Sequence, residues 1–231
     1  MAGLCLNGYI RLQNPYVKTV GLYGKARVLF GLYLLFTGIE KMVNQFIQYL
    51  QLFRNIPPAD ADIITNALQS RHVAEGTVLL EEGKTAKEIF FICKGILRIV
   101  TVNSKGVPVT YFFLKENRFC TILNSFNNEV PAAEGIQAAC DAELLVITKK
   151  SLLHLYQQIP YLEKLLTGIM QQALLDKIQI RNAYLGEDAA TRYQKFLMRQ
   201  PDIALRVSLG DIASYLGITQ QSLSRIRRNT R

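Results

Sequence analysis

The sequence predicts an α+β chain in which a block of antiparallel strands precedes a long helix and a C-terminal helix-turn-helix. Three observations carry that prediction. Between Thr77 and Thr148, short runs of β-branched and aromatic residues alternate with turn sequences. From Tyr161 to Tyr184, apolar residues recur at helical spacing with no proline and only Gly168 as a glycine. Between Ser208 and Arg228, two short amphipathic segments flank a glycine inside a basic stretch.

At 231 residues the chain holds one large domain or two ordinary ones. Hydrophobic residues make up 49% and charged residues 19%, which permits a core and excludes wholesale disorder. The net charge of +9 and pI of about 9.4 favour a polyanionic partner. The excess concentrates at the end: Arg192, Lys195, Arg199, Arg206, Arg225, Arg227, Arg228 and Arg231 face only Asp202 and Asp211. Cys5, Cys93, Cys120 and Cys140 are scattered without a C-x-x-C pair, so no metal or cofactor is expected. They read as small buried hydrophobes in a reduced cytosol, with redox sensing as the alternative. The apolar run Val28 to Phe36 is too short to span a bilayer and lacks a cleavage site, so the expected location is cytoplasmic.

Residues 1–41 carry Gly3, Gly8, Gly21, Gly24, Gly31 and Gly38 and show no sustained period. They read as an unordered extension or mis-assigned start ahead of Met42, the alternative being a basic arm that touches membrane or DNA. From Met42, Phe46, Ile47, Leu50 and Phe53 follow helical spacing until Pro57-Pro58 stops it. A short helix is expected from Ala59 to Gln69. Strands follow at Thr77–Leu80, Ile89–Cys93, Ile96–Val102, Val107–Leu114 and Leu144–Thr148, separated by Glu82-Gly83, Lys94-Gly95 and Asn103 to Gly106. Such close spacing suggests a sandwich or barrel rather than a βαβ sheet. The divisions expected are 1–41, 42–150 for the β block, 151–186 for a linker and long helix, and 187–231 for the terminal helices. The stripe Leu162, Leu165, Leu166, Ile169, Ala173, Ile180 and Ala183 suits either core packing or a dimer seam. Gly186 ends that helix, and another is expected from Ala189 to Arg199.

In the terminal segment, Ser208 with Asp211 forms a capping-box-like start. Ile212 and Leu216 supply an inward face, Ala213 allows a close helix crossing, and Gly217 marks a sharp turn. Thr219 caps the second helix, whose inner face is Leu223 and Ile226. Gln220, Gln221, Ser222, Ser224, Arg225 and Arg228 remain for its first turn or outer face. Arginine can bond guanine, and glutamine adenine, through two hydrogen bonds each in the major groove.

The chain from Met42 to Arg231 resembles the Crp/Fnr family of bacterial transcription regulators. Glu75 to Gly83 looks like that family's first strands and glycine turn, and Phe91-Ile92-Cys93-Lys94-Gly95 like its recurring hairpin. The resemblance implies a cyclic-nucleotide-binding-like, jelly-roll-like β-roll as sensor domain and a dimerisation helix over 161–184. It also implies a helix-turn-helix whose base contacts fall on Gln220, Gln221 and Arg225, with Ser208, Thr219, Ser222, Ser224, Arg227 and Arg228 alongside. The implied partners are the second copy of a homodimer, double-stranded DNA carrying an inverted repeat, RNA polymerase and a small effector.

Two departures stand out. The family's cyclic-AMP cassette reads Gly-Glu-Leu, with Arg-Ser or Arg-Thr about ten residues on. Aligned on Phe119 and Phe126, Thr121-Ile122-Leu123 replaces the former and Ala132-Ala133 the latter. Without the arginine a buried phosphate lacks its counter-charge, so the effector is expected to be something else. Thr121, Asn124, Ser125, Asn127, Asn128, Ala132 and Ala133 form the candidate effector pocket, the plainer reading of the polar ones being loop caps. The chain also ends at Arg231, so a full wing is not expected, and Arg227, Arg228 and Arg231 take more of the phosphate contact. His72 and His154 read as ordinary histidines rather than haem ligands.

An enzyme is not expected. Glu82-Gly83-Lys84-Thr85 imitates the end of a P-loop, but the required first glycine is Val78 in a strand-like run. Two distant histidines and no carboxylate pair offer no acid–base site. The remaining alternative is a ligand-sensing module that signals through protein contacts alone.

Overall fold

The computed structural model describes residues 38–103 and 106–229; readings placed on residues 1–37, and on Arg231, lie outside them. Helix α1 covers 38–51, thus including residues ahead of Met42. Helix α2 (Pro58–Asn66) follows, and then eight strands. Strands β1 (Gln69–Val73), β2 (Val78–Leu80), β3 (Glu88–Lys94), β4 (Leu97–Val102), β5 (Pro108–Leu114) and β6 (Phe119–Cys120) precede a short helix, α3 (Leu123–Asn128). Strands β7 (Gly135–Ala138) and β8 (Ala142–Thr148) complete the β block. The sheets are ordered β1-β8-β3-β6 and β2-β7-β4-β5, and every pairing is antiparallel. Gly95 makes the tight β3–β4 connection possible: its φ is 99°, and a Cβ there would lie 2.5 Å from the Asp141 carbonyl oxygen.

Strand alternation sorts the β block into two cores. Phe90 and Ile92 of β3 and Leu144 and Val146 of β8 point between the sheets, against Leu97 and Ile99 of β4 and Ile136 of β7. The intervening Ile89, Phe91, Leu145 and Ile147 point the other way, onto α1 and two further helices, α4 (Lys149–Gln158) and α5 (Pro160–Asn182). Both faces of β3 and β8 are therefore buried, which is why these strands read as continuous apolar runs. Phe46, Phe91 and Phe119 interlock with ring centroids 4.9–5.9 Å apart.

The expected helix to Gln69 stops at Asn66, because Gln69–Val73 pairs with Val146–Ala142 as the edge strand β1. Strands β1, β6 and β7 are additions to the expected set. Helix α5 divides along its length. Leu162, Leu166 and Ile169 are buried in the α1–α4 core, whereas Leu174, Leu175 and Ile178 are about half exposed. Of the expected stripe, Leu165, Ala173, Ile180 and Ala183 are half-buried, and the open apolar face is made by Leu174, Leu175 and Ile178, which lie outside it.

After Gly186 (φ 76°), Asp188 caps helix α6 (Ala189–Arg199) by accepting from the Thr191 N–H at 2.9 Å. Helices α7 (Pro201–Arg206), α8 (Leu209–Tyr215) and α9 (Gln220–Asn229) follow. Their shared core, Tyr193, Phe196, Ile203, Ile212, Leu216 and Leu223, also takes in Ile96, Phe113 and Ala139 of the β block. Among the described residues no helix is long and apolar enough to cross a membrane, and no cluster of metal-ligating side chains is present.

Candidate functional site

Helices α8 and α9 are built by local chemistry. The Ser208 hydroxyl accepts from the Asp211 N–H at 3.0 Å and so starts α8. Gly217 adopts φ 67°, which lets the Ile218 N–H reach back to the Ala213 carbonyl at 3.0 Å and close the helix end. Thr219 then accepts from the Ser222 N–H at 3.1 Å, and its own hydroxyl donates to Ser222 Oγ at 3.0 Å. Ile212, Ala213, Leu216 and Leu223 are buried, with Ile218 and Ile226 packed against them.

This anchoring decides what α9 presents. At about 100° per residue, Gln221, Arg225 and Arg228 fall roughly opposite Leu223. They are exposed, as are Gln220 and Arg227, while Ser224 is half-buried. Gln220 also lies near the start of α8, since a Cβ on Gly210 would be 3.7 Å from Ser208 Oγ and 3.8 Å from Gln220 Oε1. Ser208, Thr219 and Ser222 are engaged as helix caps. The residues left are Gln220, Gln221, Ser224 and the three arginines, of which Gln221, Arg225 and Arg228 share the face opposite Leu223, where glutamine and arginine can each make paired bonds to a base.

The other face of the helix pair is tied to the β block. Asp211, in the first turn of α8, pairs with Arg98 of β4. The same guanidinium holds Gln137 Oε1 at 2.6 and 3.0 Å and Thr110 Oγ1 at 3.0 Å. The Thr110 N–H donates to Ser214 Oγ at 2.9 Å, and the Phe113 and Tyr215 rings lie 5.2 Å apart. Arg206 makes two bonds to Glu116, at 2.6 and 3.1 Å, and Lys115 pairs with Asp202 at 2.6 Å. Burial alone raises the Glu116 carboxyl, but Arg206 and the Gly95 N–H outweigh it and hold the group below its ordinary range. None of these cross-connections had a sequence signal.

The polar residues of the expected effector pocket make hydrogen bonds within the protein. Ser125 is fully buried; its Oγ accepts from the Ala86 N–H at 2.9 Å and donates to the Val130 carbonyl. The buried Thr121 donates to the Glu88 carbonyl at 2.9 Å. Asn124 and Asn128 bond each other across one turn of α3 at 2.8 Å, and Asn127 lends its carbonyl to Lys149. Ala133 is exposed, whereas Ala132 is buried. Ser125 thus ties α3 to the β2–β3 connection, and Thr121 ties the β6–α3 junction to β3. The P-loop-like turn behaves alike, with the Gly83 N–H donating to the Ala132 carbonyl at 2.8 Å.

Ile122 and Ala132, at the positions where a cyclic-phosphate cassette carries its glutamate and arginine, belong to the apolar core between the sheets with Phe90, Leu114, Ile136 and Val146. That environment offers a phosphate no counter-charge, and these residues do not fit a cyclic nucleotide held in the usual way.

Comparison with known proteins agrees with this architecture. Residues 70–159 match the cyclic nucleotide-binding domain family. No curated protein sequence matches the chain. Among solved structures, a protein assigned to the Crp/Fnr family from Eubacterium rectale is 18% identical with a TM-score of 0.62, covering 79% of this chain and 87% of its own. The c-di-GMP-responsive global regulator CLP of Xanthomonas campestris is 15% identical with a TM-score of 0.60, covering 75% of this chain and 91% of its own. FixK2 from Bradyrhizobium japonicum is 19% identical with a TM-score of 0.58, covering 70% and 83%. The fold is that of the Crp/Fnr regulators.

Proposed function

We propose that this chain is a sequence-specific DNA-binding transcription regulator of the Crp/Fnr type, a homodimer that answers to an effector other than cyclic AMP. The observation that carries the reading is the outward face of α9, where Gln221, Arg225 and Arg228 stand exposed opposite the buried Leu223. Gln221 and Arg225 suit base edges, and Arg227 and Arg228 suit phosphates. The half-exposed Leu174, Leu175 and Ile178 of α5 are the natural seam between two copies, since such a row is unfavourable in water. Two-fold symmetry then calls for an inverted repeat with half-sites roughly 34–36 Å apart. In this reading 42–150 senses, 151–186 joins the dimer, 187–231 reads DNA in the cytoplasm, and RNA polymerase receives the signal.

The test is selection of bound genomic fragments by the purified protein, followed by gel-shift titration. Arg225→Ala should relax preference at one base pair by about 1–3 kcal/mol. Arg228→Ala should weaken all sequences alike and flatten the salt slope by about one. Unchanged affinity in both variants refutes the docking. Calorimetry with cyclic AMP and cyclic GMP should give no binding heat, and micromolar binding of either would overturn the effector half of the proposal.

A further inference from the structure

A cleft of about 900 Å³ opens between the β2–β3 turn and the first turn of α4, beside the α3 segment, whose C-cap Glu129 lines it. Its floor is apolar: Leu79 and Leu80 of β2, Phe90 of β3 and Ile136 of β7, with Leu153 of α4 along one side. Phe90 and Ile136 belong to the core between the sheets, so the cleft leads onto the interior of the β-roll. Leu153 is 52% exposed, an apolar wall facing water. A concave apolar surface of this size with a few charged groups at its edge is the usual form of a small-molecule site.

The charges at the mouth select the ligand. Glu88 is held by two bonds from Arg71, at 2.7 and 2.9 Å, and Glu129 by Lys149 at 2.9 Å. Both carboxylates are thereby compensated, although Glu129 also feels Lys87. Lys87 and Lys150, both exposed, add positive charge to the same rim, and neither has an ion-pair partner among the described residues. The N-terminal turn of α4, capped by Thr148, adds the positive end of its dipole. A cationic mouth over a hydrocarbon floor complements a molecule with one anionic end and one apolar end.

We infer that this cleft is a binding site for an amphipathic carboxylate, its hydrocarbon on Leu79, Leu80 and Leu153 and its carboxylate at Lys87 and Lys150. The inference rests on the regulator reading only for its consequence, that this ligand is the effector. The route to the dimer helix is short. Leu152 and Leu155, on the inner side of α4, pack in one core with Leu162 and Leu166 of α5.

The experiment is calorimetric titration of octanoate, decanoate, 1-decanol and decyltrimethylammonium into the full-length, DNA-free protein. Decanoate should bind saturably and about fifteenfold more tightly than octanoate, at about fourfold per buried methylene. The alcohol and the cation should bind at least tenfold more weakly than decanoate. Leu153→Asp and Lys150→Glu, both at exposed positions, should each weaken decanoate at least tenfold while leaving the thermal unfolding curve in place. No saturation at millimolar decanoate, equal affinity for all three headgroups, or parental affinity in both variants would overturn the assignment. A protein that selects operator DNA but ignores decanoate refutes the cleft alone. One that binds decanoate as expected but selects no DNA upholds the cleft and refutes the regulator reading.

Discussion

Replacing Asp211 with alanine should weaken the attachment of α8 to the β block by removing one of the ion pairs between them. The Arg98 and Asp211 side chains are 15% and 19% exposed, so water screens the pair only in part. Breaking a fully buried pair costs about 3–5 kcal/mol, because a charge is stranded. Here Arg98 keeps Gln137 and Thr110, at 2.6–3.0 Å, so the loss should be nearer a single charged hydrogen bond, about 1.5–3 kcal/mol. Asp211 also complements the first turn of α8, worth about 0.3–1 kcal/mol independently of Arg98. A double-mutant cycle with Arg98→Met separates the two contributions. Measured by urea unfolding, the coupling should be about 1–2 kcal/mol and should largely survive high salt. A coupling below about 0.3 kcal/mol, the value of an exposed surface pair, would refute the claim that this contact ties the two parts together.

Other outcomes follow from the same packing. Leu223→Ala should destabilise the terminal helices by about 2–5 kcal/mol, because the side chain is fully buried where α8 and α9 cross; chemical denaturation measures it. Thr219→Ala should cost about 1 kcal/mol through the lost cap, read by the same assay. Burial pushes the Cys93 and Cys120 thiols up to about 12, so at pH 8 iodoacetamide should modify the half-buried Cys140 well before either, as peptide mass spectrometry would show. These two thiols stay protonated in the folded chain but ionise near 9 when unfolded. The unfolded state then binds fewer protons, so stability should fall from about pH 9 to pH 12, and Cys120→Ala should reduce that fall.

The sequence by itself determined the features whose causes lie within a turn or two of chain. Ser208, Gly217 and Thr219 build α8, the turn and α9 through hydrogen bonds spanning no more than five residues, and the pattern was legible for that reason. The apolar runs at 89–93 and 144–148 announced strands, yet not that both their faces are buried, since that requires α1 on one side and the second sheet on the other. Tertiary structure decided the rest. Gln69–Val73 is polar and unremarkable until β8 pairs with it, and Phe119–Cys120 is too short to show a period. Ser125 looked available for a ligand until folding brought the Ala86 N–H and the Val130 carbonyl to its hydroxyl. Arg98 and Asp211, and the cleft walled by Leu79 and Leu153, join residues far apart in the chain. No local spacing encodes such meetings, because they form only when separate elements bury their apolar faces together and carry the polar groups at their edges into contact.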